Sequence, residues 1–104
     1  MKSLVHFDFQ DGFINDTVIL KINGDEIFKK YNITTDLRIS LAESFSTKIL
    51  NGEAKLDILI PTKNLSISQT VTINSEKYCT ISIINNNKDP KLKFKELKEP
   101  PFYF

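Results

Sequence analysis

Apolar and polar residues alternate with a period of two along most of this chain. In residues 4–9, the apolar residues Val5, Phe7 and Phe9 occupy every second position. A period of two places successive side chains on opposite faces of a β-strand, and the many β-branched residues favour strands as well. The pattern predicts strands in residues 4–9, 18–23, 36–41, 54–60, 65–73 and 78–83.

Turn-forming residues separate these segments at intervals of about ten residues. Asn and Gly recur in them, and both tolerate the positive φ that tight turns need. They lie at residues 10–12, 23–24, 51–52, 61–64, 74–76 and 85–90. Short strands separated by turns predict an all-β fold, an antiparallel β-sandwich of seven or eight strands. Immunoglobulin-like, transthyretin-like and jelly-roll arrangements all remain open.

The pair Asn23-Gly24 gives the sharpest local prediction. A two-residue hairpin loop there would set Ile22 opposite Asp25, Lys21 opposite Glu26, Leu20 opposite Ile27 and Ile19 opposite Phe28. The Lys21–Glu26 pair matches opposite charges and the last two pairs match apolar residues, which stabilises a hairpin.

Two segments give a weaker pattern. A hairpin at Asn51-Gly52 would set Lys48 against Lys55, so this turn is less clearly a hairpin. Residues 41–50 contain the best candidate for a short helical turn, although their apolar residues lack consistent helical spacing.

Length and composition indicate one globular domain covering residues 1–104. The apolar fraction is 40% and the charged fraction 26%, both ordinary for a folded protein. A chain of this length can bury a core without a metal or a disulfide. We therefore expect no cofactor.

The charges are nearly balanced, with 14 basic and 13 acidic residues and a net charge of +1. Nucleic-acid binders usually show a basic excess, so we expect no nucleic-acid partner. The exception is residues 88–98, which hold five lysines. A strand over residues 91–97 would place Lys91, Lys93 and Lys95 on one face, which is typical of a protected edge strand. Binding of a polyanion is the alternative.

Candidate catalytic groups are sparse. Cys79 is the one cysteine, and its position inside a predicted strand favours a small buried apolar residue. His6 is the one histidine, and in a regular strand it shares a face with Asp8. An enzyme using His6, Asp8 and loop carboxylates is therefore a minor hypothesis, and no catalytic set can be selected.

An acidic turn, residues 8–16, surrounds Gly12. Loop oxygens can bind calcium, although the spacing does not match an EF-hand. The candidate ligands are Asp8, Asp11, Asn15 and Asp16. Phe13 is an aromatic residue inside this polar turn, and we expect it either to pack beneath the loop or to contact a partner.

The end of the sequence, residues 98–104, carries prolines followed by Phe102, Tyr103 and Phe104. These aromatic residues would be costly to solubility if fully exposed. We expect them to pack on the sandwich or to dock into a partner.

These observations favour a non-enzymatic, soluble binding module whose partner is another protein or a second copy. No apolar run is long enough to span a membrane, and the polar first residues do not form a secretory signal, so we expect a cytoplasmic protein without a membrane partner. The sequence does not indicate a small ligand. A carbohydrate-binding module is the alternative, and Phe13, Tyr31 and Tyr78 would form its aromatic platform.

Overall fold

The computed structural model describes residues 1–84 and 88–101. Eight strands fill most of this range, with one 3₁₀ turn, Pro61–Lys63, between the fifth and the sixth. In chain order they are β1 (Lys2–Phe9), β2 (Asp16–Ile22), β3 (Asp25–Ile33), β4 (Glu43–Leu50), β5 (Gly52–Ile60), β6 (Leu65–Ile73), β7 (Lys77–Ile84) and β8 (Lys91–Leu97).

The strands form two four-stranded sheets. Sheet A has the order β4-β1-β7-β8 and sheet B the order β3-β2-β5-β6. The predicted all-β sandwich of seven or eight strands is confirmed. One pair departs from the antiparallel rule, because β1 and β7 run parallel.

The core lies between the two sheets and comes from the alternation seen in the sequence. Val5, Phe7 and Phe9 of β1 face it from sheet A, while Val18 and Leu20 of β2 face it from sheet B. Aromatic rings concentrate near β3 and β4. Phe28 stacks on Phe9 with 5.8 Å between ring centroids, and its centroid lies 4.7 Å from that of Phe45.

The Asn23-Gly24 hairpin exists, but its predicted register is wrong beyond the first two pairs. Ile22 opposes Asp25 and Lys21 opposes Glu26, yet Leu20 opposes Phe28 rather than Ile27. A β-bulge at Ile27, between the Lys21–Glu26 and Leu20–Phe28 pairs, shifts the register by one residue. The shift brings Phe28 to the core, where it joins the aromatic cluster.

Two further segments differ from the sequence predictions. Residues 36–41 form a tight turn, because the Asp36 carbonyl accepts hydrogen bonds from the Ile39 and Ser40 amides. Leu37 is consequently 88% exposed. Residues 43–50 form β4 and not a helical turn.

Asn51-Gly52 is not a hairpin, since β4 and β5 belong to different sheets. The backbone N–H of Asn51 donates to the Met1 carbonyl, and Ser3 Oγ donates to the side-chain Oδ1 of Asn51 at 2.7 Å. The turn therefore carries the chain from sheet A to sheet B. Within the described range, no helix is long and apolar enough to cross a membrane.

Candidate functional site

His6 lies on the outer face of sheet A and joins three strands. Its Nδ1 lies 2.7 Å from Ser46 Oγ on β4, and its Nε2 lies 2.7 Å from Glu76 Oε2 just before β7. The ring stacks on Tyr78 at 4.6 Å, and the Tyr78 hydroxyl donates to the same Glu76 oxygen at 3.2 Å. Hydrogen bonds from His6 and Tyr78 lower the pKa of Glu76.

This serine–histidine–glutamate chain has the composition of a nucleophile relay but not its surroundings. A nucleophilic serine needs a base and a site from which water is excluded. Here the Glu76 side chain is 52% exposed and Ser46 lies on the open sheet face. The network therefore ties β7 to β1 and β4. On the same strand as His6, Asp8 Oδ1 accepts a hydrogen bond from Ser44 Oγ at 2.9 Å.

Of the two positions expected for Phe13, the structure has the ring packed beneath the loop rather than exposed. Its side chain is 1% exposed and meets Phe9 edge to face at 5.9 Å. Its amide donates to Thr35 Oγ1 at 3.0 Å, and its carbonyl accepts from the Thr35 amide. The ring packs beneath the loop because the edge-to-face contact and apolar burial both favour that position.

Asp16 is a buried carboxylate with a full set of partners. The Ile14 amide donates to Oδ2 at 2.9 Å, Thr62 Oγ1 donates to Oδ1 at 2.6 Å, and Lys63 forms an ion pair with it. Burial acts to raise the pKa of Asp16, but the hydrogen bonds from Lys63, Thr62 and Ile14 outweigh it and the pKa is lowered. The network joins the β1–β2 connection to the β5–β6 turn.

The calcium candidates do not converge. Asp16 faces Lys63, while Asp8 faces Ser44, and the Asn15 amide donates to Thr34 Oγ1 at 2.9 Å. The Asp11 backbone pairs with Ser82 and Ile83. In the part of the chain that the structure describes, no three His, Cys, Asp or Glu side chains are grouped as a metal site would require.

The proposed carbohydrate platform is also divided. Phe13 is buried, Tyr31 lies on β3 of sheet B, and Tyr78 lies on β7 of sheet A. Tyr31 is 60% exposed and has Lys29 Nζ 5.2 Å from its ring centroid. These rings cannot stack on one sugar face. Phe102, Tyr103 and Phe104 lie outside the described residues, so their role stays a prediction.

Cys79 is buried, as its place in the alternation indicated. Burial raises the pKa of its thiol to about 12. A thiol with such a pKa is almost entirely protonated at neutral pH and is a poor nucleophile.

The lysines of β8 occupy the positions that the sequence predicted. Lys91, Lys93 and Lys95 face outward, and Leu92 and Phe94 pack against the core. β8 is an edge strand of sheet A. Lys93 and Lys95 also line a hollow of about 270 Å³ together with Asp11, so residues of both charges surround it.

The four edge strands differ sharply in charge. β3 carries Asp25, Glu26, Lys29 and Lys30, β4 carries Glu43 and Lys48, and β8 carries three lysines and a glutamate. β6, with the sequence LSISQTVTI, carries no charged residue. Charge on an edge strand opposes pairing with another chain. Among the strands that the structure describes, β6 is therefore the edge at which no charge opposes pairing.

β6 also has the regularity that pairing requires. Its nine residues pair with β5 in an unbroken register from Leu65 to Ile73, whereas the edge strand β3 contains two irregularities. The uncharged run was visible in the sequence. Its position at an edge was not, because edge and centre depend on the order of strands.

Comparisons of the chain with protein-family models, curated proteins and solved structures gave no match.

Proposed function

We propose that this chain is a non-enzymatic binding module that accepts an extended segment of a protein partner along β6. The observation that carries the proposal is the absence of charge from β6, when every other edge strand is charged. Addition of a strand to an open edge is a common mode of peptide recognition. Backbone hydrogen bonds supply the affinity, and the side chains beside the edge supply selectivity.

The two faces of β6 define the kind of segment that fits. Toward the core side it presents Leu65, Ile67, Gln69, Val71 and Ile73, and toward solvent it presents only serine and threonine. An incoming strand would place alternate residues against each row. A partner segment that alternates apolar and small polar residues is complementary to both.

Gln69 is the central polar residue of the inner row. It lies opposite Leu56 of β5 and is half-buried at the edge of the sandwich. In the free protein a charged side chain at this position can reach water past the edge. Once another strand has paired with β6, the same charge would be enclosed, and burying an unpaired charge is costly.

Selection from a library of random peptides of about ten residues tests the proposal without knowledge of the natural partner. Peptides selected on the wild-type protein should alternate apolar and small polar residues. They should bind Gln69→Lys at least about tenfold more weakly. Ser75→Lys is the matched control, because it adds the same charge at an exposed position beyond the end of β6.

N-methylation separates strand addition from other contacts, since it removes backbone donors and leaves side chains intact. Methylation of alternate amides should abolish binding in one phase of the alternation and not in the other. The proposal fails if selected peptides bind wild type and Gln69→Lys equally, or if methylation of neither set of alternate amides weakens binding.

A cytoplasmic location stays a prediction.

A further inference from the structure

We infer that the strand which pairs with β6 is β6 of a second copy of this chain, in antiparallel orientation. This inference rests on the proposed function and names its partner. The two copies would join their B sheets into one sheet of eight strands. A two-fold axis perpendicular to the sheet relates antiparallel neighbours, and such an interface uses the same surface on both copies.

The sequence of β6 is complementary to itself in one full-length register. With Gln69 opposite Gln69 of the second copy, Ile67 opposes Val71 and Leu65 opposes Ile73, all on the core side. On the solvent side, Ser68 opposes Thr70 and Ser66 opposes Thr72. Apolar residues thus meet apolar residues and hydroxyls meet hydroxyls, pairs that favour antiparallel strands.

The edge strand β8 does not share this property. Self-pairing of β8 about its centre would set Lys93 directly opposite Lys95 of the second copy. Like charges facing each other are destabilising. In β6 no register brings two charges together, because the strand has none.

The length of β6 is sufficient for a weak but specific contact. Antiparallel pairing forms about one backbone hydrogen bond per residue, so nine residues give about nine, close to the number in an ordinary protein interface. Little surface beyond the two strands is added. The expected complex is therefore a reversible dimer whose population rises with protein concentration.

Introduction of a charge at the two-fold axis tests this register directly. Sedimentation of wild type from about 5 to about 500 μM should show a concentration-dependent dimer. Gln69→Glu and Gln69→Lys should each weaken it at least about tenfold, because each sets a charge against its own copy. An equimolar mixture of these two variants should restore dimerisation as a heterodimer. Ser75→Glu and Ser75→Lys, alone or mixed, should behave as wild type.

Cysteine pairing gives an independent measurement. Ser66 should lie opposite Thr72 of the second copy, whereas the two Ser66 residues are separated by six positions, about 20 Å. A mixture of Ser66→Cys and Thr72→Cys should form a disulfide-linked dimer on mild oxidation, and neither variant alone should. Cys79 is buried and serves as the internal thiol reference.

The outcomes distinguish the two proposals. A wild type that stays monomeric, while selected peptides still bind at β6, overturns self-pairing and leaves the binding proposal standing. A dimer that is unaffected by Gln69→Glu and Gln69→Lys overturns both the register and β6 as the interface. Cross-linking of Ser66→Cys alone, as fast as the mixture, overturns the register.

Discussion

Gly12 lies where the β1–β2 connection passes against the backbone of β7. The Gln10 amide donates to the Ile81 carbonyl, and the Ile83 amide donates to the Asp11 carbonyl, each at 2.8 Å. Gly12 adopts a φ of +90°, and a Cβ added there would lie 2.2 Å from the Ile83 carbonyl oxygen. Only glycine allows both this φ and this approach.

Gly12→Ala should therefore lower the free energy of unfolding by about 2–4 kcal/mol, since it combines backbone strain with a clash. Urea denaturation measures the change. Gly24→Ala is the control, because Gly24 has a similar φ of +86° but nothing within 4 Å of an added Cβ. We expect that variant to lose only about 1 kcal/mol, and equal losses at the two positions would contradict the clash.

Asp16 links stability to pH. The pKa of Asp16 in the folded protein is lower than the value near 3.9 expected for the unfolded chain. Ionised Asp16 therefore stabilises the folded state at pH values above that unfolded-state pKa. This contribution is complete above about pH 5 and is lost as the pH falls through the folded-state pKa. Lys63, which is 17% exposed, supplies the opposing charge.

Asp16→Asn should lower the free energy of unfolding by about 2–4 kcal/mol at pH 7, because it leaves Lys63 without its buried partner. The difference from wild type should shrink toward pH 3. Urea denaturation of both proteins across this range gives the comparison, and a difference independent of pH would show that ionisation of Asp16 is not its source.

The residue scale also shows why the sequence did not reveal the partners of the candidate site residues. Asp16 was a plausible calcium ligand from its neighbours, but its true partner is Lys63, 47 positions along the chain. Likewise, the partners of His6 are Ser46 and Glu76, at separations of 40 and 70. Contacts across such separations depend on the order of strands, which local patterning does not contain.

At the scale of the strand, the edge strands β8 and β6 differ in charge, because β8 carries three lysines and a glutamate whereas β6 carries no charged residue. Both lie at the same side of the sandwich, one closing sheet A and the other closing sheet B. β8 alternates lysine with core residues, as the sequence predicted. That prediction succeeded because the period of a strand fixes which side chains share a face, whatever the topology.

Replacing Lys91, Lys93 and Lys95 together with threonine should make β8 prone to intermolecular pairing, since the charges that oppose it are gone. Static light scattering should show faster association than wild type. A variant with Lys2, Lys21 and Lys55 replaced by threonine loses the same net charge from the central strands β1, β2 and β5, away from β8. If both variants associate equally, net charge and not the β8 edge controls association.

The β2–β3 hairpin marks the limit of prediction at this scale. Its turn and first two pairs followed from Asn23-Gly24 and from opposite charges. The bulge that shifts the later pairs follows from the position of Phe28 against Phe9 and Phe45, which belong to β1 and β4. Packing with distant strands overrides the local choice of register.

For the whole molecule, the alternation of apolar residues was enough to predict two packed sheets. It was not enough to predict which strands are neighbours. Residues 36–41 carried the same alternation and yet form a turn, because Asp36 accepts hydrogen bonds from the Arg38 amide and from the Ile39 and Ser40 amides. The absence of charge from β6 can be related to pairing with another chain only once the strand order shows that β6 is an edge strand.

The parallel pairing of β1 with β7 has a consequence for the order in which the protein is made. Every strand of sheet B lies between Asp16 and Ile73, so its internal pairings involve no later part of the chain. Sheet A cannot be completed until β7 and β8 have been synthesised, although its strand β1 precedes all the strands of sheet B. Once Ile73 has emerged from the ribosome, the nascent chain can therefore form all of sheet B, while β7 and β8 are still missing from sheet A and only β1 and β4 can shield the apolar face of sheet B. That interval is when the nascent chain is most exposed to aggregation and to chaperones.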